Sequence, residues 1–133
     1  MKAEVLRKAV ALAQKIGHIF VATSDARGLP HVAAAGRVTL TGANRVAVEA
    51  WFCPGTMANL QTNRRISLVV WDPKSDQGHQ WLGEAEEVED LAMLDGYAPS
   101  FDKPARPQAE RRLFVRVEKA MEFRQALHSD AEE

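Results

Sequence analysis

Between His18 and Arg124 the sequence alternates short stretches rich in Val, Ile, Thr, Phe and Trp with breaks that carry Gly, Pro, Asp or Asn. β-Branched and aromatic side chains suit a pleated, half-buried surface, and such runs bounded by turn residues read as strands. The chain is therefore expected to be mainly β, of the α+β class. His18–Ser24 (HIFVATS) is the first expected strand. Asp25-Ala26-Arg27-Gly28 supplies turn chemistry, and Pro30 introduces a second extended stretch over 31–41. The turn Thr41-Gly42-Ala43-Asn44 closes it, and 45–52 (RVAVEAWF) form a third strand. Such short connections predict an antiparallel meander.

Pro54-Gly55-Thr56 interrupts this pattern. Met57, Leu60 and Gln61 then fall at helical spacing, so a short helix is expected to run to Asn63. Ile66–Trp71 (ISLVVW) is nearly all apolar and reads as a strand buried on both faces. After the polar loop Asp72–Gln77, residues 78–89 (GHQWLGEAEEVE) read as a long strand whose interior Gly marks a bulge or bend. A helix is expected to start over Leu91–Tyr97, followed by an irregular stretch from Pro99 to Pro107. Residues 112–124 alternate, with Leu113, Val115 and Val117 on one face, and form a sixth strand. Ahead of all these, Val5, Ala9, Leu12, Ala13 and Ile16 keep a helical period that Gly17 ends. The acidic tail from His128 is expected to fray. Six short strands with turn signals imply a closed or partly closed barrel in a single domain, 1–133.

Composition excludes several functions. A net charge of -1 gives no electrostatic pull toward nucleic acid. The apolar runs fall far short of the ~18 residues a membrane span needs. Met1–Ile16 carries a charge every few positions and has no signal-peptide core, which reads as cytoplasmic. Cys53 is the single cysteine, so no internal disulfide forms. His18, His31, His79 and His128 lie far apart without metal-ligand spacing.

Landmarks in order are Gly36-Arg37-Val38, Val48-Glu49-Ala50-Trp51, Pro54-Gly55-Thr56, Asn59-Leu60 with Asn63-Arg64-Arg65-Ile66-Ser67-Leu68, and Gly83 to Asp90 (GEAEEVED). Over roughly 15–92 this succession resembles the FMN-binding split-barrel family related to pyridoxamine 5′-phosphate oxidase. The resemblance implies a six-stranded antiparallel split β-barrel, with an N-terminal helix and a short helix after the third strand. It further implies a homodimer holding two FMN molecules between its subunits. The phosphate would sit in the loop Cys53-Pro54-Gly55-Thr56, at the start of the short helix, where free N–H groups favour an anion. Backbone around Gly36, Arg37 and Val38 and around Ala50 and Trp51 would flank the isoalloxazine and ribityl groups, with the Arg37 side chain reaching the phosphate.

The chain departs from the family in that loop. Many members carry a Lys or an Arg-Lys pair where Gly55 and Thr56 stand here, and the nearest cations in sequence are Arg64 and Arg65. A missing charged hydrogen bond to phosphate costs ~1.5–3 kcal/mol, or ten- to a hundredfold in affinity.

Each residue also has a plainer role. Thr56 is a phosphate ligand or the cap of the short helix, and Arg37 an anion ligand or an outward solubilising group. Trp51, Trp71 and Trp81 read first as fillers of core or interface, and Cys53 as a small buried hydrophobe. The acidic run from Glu84 to Asp90 reads as a solvated strand edge. Two classes of function follow: an FMN-dependent oxidoreductase of unassigned substrate, with the deazaflavin F420 as the alternative cofactor, or a cofactor-free binding module on the same barrel. Haem binding lacks a suitably placed His motif.

Overall fold

The computed structural model describes residues 2–51, 53–90, 111–126 and 130–133. The expected helix over 91–97 and the proline-rich stretch 99–107 lie outside these residues. Helix α1 (Ala3–Ile16) buries Leu6, Ala9, Val10 and Ala13 and packs on the β-sheet. Gly17 ends it with φ 95°, its N–H donating to the Ala13 carbonyl at 2.8 Å. That left-handed conformation is open to Gly and costly for other residues.

The strands are β1 (Ile19–Ser24), β2 (Pro30–Ala35), β3 (Arg37–Gly42), β4 (Arg45–Trp51), β5 (Arg65–Asp72), β6 (Gln77–Asp90) and β7 (Arg111–Glu122), with α2 (Pro54–Thr62) between β4 and β5. They form one antiparallel sheet in the order β2-β1-β5-β6-β7-β4-β3. The sheet has seven strands and is not closed by β2–β3 pairing, which corrects the six-stranded barrel expected from the sequence. The single stretch expected over 31–41 is two strands. Buried Ala35 and buried Val38 stand three positions apart, whereas an unbroken strand keeps one face at even spacing. Gly36 is the extra residue, and its N–H leaves the β1 side to donate to the Glu49 carbonyl at 3.2 Å. The expected meander therefore splits into two hairpins at opposite edges of the sheet.

Inward side chains from every wall of the sheet make the core, among them Ile19, Val38, Val48, Leu68, Trp81 and Val115. In β5, Ile66, Leu68 and Val70 are buried while Ser67, Val69 and Trp71 are half-buried. The strand is thus covered fully on one face, not both. It is also no sheet edge, being paired with β1 and β6. The acidic run likewise lies in β6, an interior strand. Glu86 meets Arg45 at 2.8 Å and Arg116 at 3.3 Å, and Glu84 meets Arg116 at 3.3 Å. No helix among the described residues is long and apolar enough to cross a membrane.

The bulge expected at the glycine inside the long strand is present, with register against β7 shifting between Leu82 and Gly83. A Cβ at Gly83 would overlap the Arg116 carbonyl. Gly83→Ala must push β6 and β7 apart, so a loss of about 3 kcal/mol in urea unfolding is expected; an unchanged midpoint would show that the strands separate without strain.

Candidate functional site

The break at Gly36 brings three segments together. Arg37 opens β3 and pairs in register with Glu49 near the end of β4. The chain then turns through Cys53 into α2, and Cys53 Sγ lies 3.9 Å from the Ala34 carbonyl at the end of β2. The His31 ring of β2 lies against Gly55, where an added Cβ would come within 2.8 Å of Nε2. Glycine at the first turn of α2 is thus what lets the helix approach β2 this closely.

Cys53 is the N-cap residue and makes no side-chain cap bond; Pro54 is at the helix start and no acid occupies the first turn. Thr56 is therefore not the cap. It shares the inward face of α2 with Leu60 and is 1% exposed, with no hydrogen-bond partner for its Oγ1. His31 Nδ1 is likewise buried without a partner. The first backbone N–H in α2 known to bond within the turn is that of Met57, which donates to the Cys53 carbonyl at 3.0 Å. The N–H groups of Gly55 and Thr56 precede it, at the positions a helix leaves without intrahelical acceptors.

Charge at this end of the sheet centres on Glu49. Its side chain is 10% exposed and accepts from Arg37 Nε at 2.9 Å and Arg112 Nε at 2.7 Å. Arg112 also faces Glu89 at 3.5 Å. Burial pushes the Glu49 carboxyl up, but hydrogen bonds and charge from Arg37 and Arg112 outweigh it and hold the group below the usual glutamate range. Arg37 and Arg112 thus face two carboxylates, Glu49 and Glu89, and the group is balanced in charge.

Of the sequence-derived site residues, Gly36, Arg37 and Val38 stand at the strand break, Ala50 and Trp51 at the end of β4, and Pro54, Gly55 and Thr56 in the first turn of α2. Val38 is buried in the core. Sequence reasoning missed Glu49 and Arg112. The link between them spans 63 positions and depends on β4 pairing with β7, with a register shift between Val48 and Trp51. Elsewhere, a cleft of about 310 Å³ crosses β1, β5 and β6 beside Thr23, Ser67 and Leu82, and none of the expected site residues lines it. Arg37 opens the strand after the break, and the helix start lies against β2 just before it with the orphaned His31 Nδ1 and Thr56 Oγ1, so that region is the stronger candidate.

Because the folded-state value for Glu49 is lowered, its stabilisation is complete above the ordinary glutamate value near 4.5 and is lost as pH falls below it. The stability difference between wild type and Glu49→Gln is expected to shrink as pH falls from 6 towards 3, measured by urea unfolding. A difference that stays constant with pH would show that the carboxylate charge contributes nothing.

A sequence model described as pyridoxamine 5′-phosphate oxidase matches residues 6–126. No curated protein sequence matches the chain. Among solved structures, an FMN-binding protein from Syntrophomonas wolfei subsp. wolfei aligns with a TM-score of 0.68 at 18% identity, covering 94% of this chain and 90% of that one. An F420 reductase aligns with a TM-score of 0.56 at 18% identity, covering 77% and 87%. HutZ, the heme storage protein from Vibrio cholerae, aligns with a TM-score of 0.55 at 14% identity, covering 96% and 100%. At such identities these neighbours establish a shared fold, while the sequence match extends over most of the chain. The chain belongs to the pyridoxamine 5′-phosphate oxidase family.

Proposed function

We propose that this chain binds FMN at the strand break as half of a homodimer and serves as an FMN-dependent oxidoreductase. The observation that carries the reading is the approach of the α2 start to the end of β2 beside the strand break, where the His31 ring lies against Gly55 and the Gly55 and Thr56 N–H groups have no intrahelical acceptors. The residues present fit a phosphate-bearing cofactor. The orphaned His31 Nδ1, on the ring that lies against Gly55, is a buried polar atom without a partner at this helix start.

In this reading the Gly55 and Thr56 N–H groups and the Arg37 guanidinium hold the phosphate. Thr56 contributes its backbone, since its hydroxyl faces inward with Leu60. The backbone at Gly36–Val38 and Ala50–Trp51 flanks the ring system and excludes water from it. The flavin, when bound, supplies hydride or electron transfer, and the protein supplies orientation and polarity.

Homodimerisation is supported by an apolar outer face on the β2–β1–β5 side of the sheet. Exposed Phe20 stands beside Ala34 and Val69, and exposed Val32 beside Ala22. A second copy covering this face would remove it from water. F420 remains the alternative cofactor, supported by the fold shared with an F420 reductase.

Titration of the apo protein with FMN, followed by flavin fluorescence, is expected to saturate near one FMN per chain, with ten- to a hundredfold weaker binding for Arg37→Ala. Sedimentation equilibrium at micromolar concentration is expected to give a dimer that Val32→Glu dissociates. Failure to retain FMN at high concentration would overturn the flavin reading, and a monomeric wild type the dimer. A purified protein with the single visible band of F420 would select the alternative.

A further inference from the structure

We infer that the cleft across β1, β5 and β6 is a second ligand site, one that takes a small carboxylate with a compact apolar body. None of the residues expected at the flavin site lines it, and the inference stands independently of the flavin reading. The cleft measures about 310 Å³, and its walls include Thr23, Ser24, Arg65, Ser67, Leu82 and Glu118. Space of this order holds a small organic molecule.

Three hydroxyls on these walls already act as acceptors. Asn59 Nδ2 donates to Thr23 Oγ1 at 3.0 Å, Asn63 Nδ2 to Ser24 Oγ at 3.0 Å, and Gln80 Nε2 to Ser67 Oγ at 2.8 Å. The orientation of the Asn63 amide is fixed separately, because its Oδ1 accepts the Arg65 backbone N–H at 3.1 Å. A hydroxyl that accepts one bond still has its proton to donate. Among the described residues, none of these three hydroxyls has a protein acceptor. Thr23 is only 5% exposed, and a shielded donor without an acceptor carries a cost that a ligand oxygen in the cleft would relieve.

Charge selects the kind of acceptor. Among the described residues, no carboxylate lies within ion-pair distance of the Arg65 guanidinium. Glu84, opposite Arg65 in register, pairs with Arg116 at 3.3 Å, and Glu118 on the cleft wall pairs with the same guanidinium at 2.9 Å. Arg65 therefore brings one unpaired positive charge and a planar fork of donors to a wall that holds three hydroxyl donors. A single carboxylate matches that fork with two parallel hydrogen bonds and carries the one charge required. Ala22 and Leu82 give the cleft apolar wall as well, so the rest of the ligand is hydrocarbon.

Benzoate, benzyl alcohol and acetate separate the two halves of such a ligand. In backbone amide NMR titrations of the full chain, benzoate is expected to shift Ser24, Arg65 and Ser67 while Gly55 and Thr56 stay unmoved. It is expected to bind about tenfold more tightly than benzyl alcohol, which keeps the ring without the charge, and more tightly than acetate, which keeps the charge without the ring. Arg65 is exposed, so Arg65→Ala keeps the fold and is expected to weaken benzoate about tenfold with benzyl alcohol unchanged. Ser24→Ala is expected to weaken benzoate about fivefold. Benzoate that shifts the start of α2 instead, binds no better than benzyl alcohol, or binds Arg65→Ala as tightly as wild type overturns the site. Equal affinity for acetate and benzoate overturns the apolar half, and an unchanged affinity in Ser24→Ala overturns the part given to the hydroxyls. FMN titration of the same protein reports on the flavin reading alone.

Discussion

Strands β2 and β3 follow one another in the chain with Gly36 alone between them, yet they lie at opposite edges of a seven-stranded sheet. A covalent link between two edges leaves such a sheet little choice but to curl until the edges meet. Curling needs local kinks, which the β6–β7 bulge at Gly83 and the β4–β7 register shift provide. The start of α2 lies against the end of β2, and the β3–β4 register sets Arg37 beside Glu49. The candidate site is therefore built around the link between the two edges.

Two kinds of ion pair in this protein differ in what they can do. On the outer surface Arg45 and Arg116 meet Glu84, Glu86, Glu87 and Glu118 in a network open to solvent, where water and salt screen each pair. Glu49 is nearly enclosed. Burying a carboxylate is costly unless it is paired and hydrogen-bonded, and both of its oxygens are engaged by arginines. Such an arrangement fixes geometry more than it adds stability.

Much of the fold was legible locally. The helical period ending at Gly17, the Pro-led start of α2, the alternation in β7 and the Gly83 bulge all rest on residues a few positions apart. The break at Gly36 was not legible, because Ala33-Ala34-Ala35-Gly36 carries too little contrast between faces to reveal a lost register. The exposed-edge reading of the acidic run failed because strand order is non-local: a run of Glu can lie on the outer face of an interior strand when arginines on β4 and β7 cross to meet it. Within the site, family resemblance pointed to Arg37 and to the loop before α2. It could not supply Arg112, whose place beside Glu49 depends on a pairing between strands more than sixty positions apart.

The proposed function depends on where the cofactor sits. Backbone amide NMR shifts of the isotope-labelled protein during an FMN titration would locate it directly. The largest movements are predicted at Gly36, Arg37, Val38, Ala50, Trp51, Gly55 and Thr56. Movements confined to the cleft beside Thr23, Ser67 and Leu82, with the strand break unmoved, would contradict it.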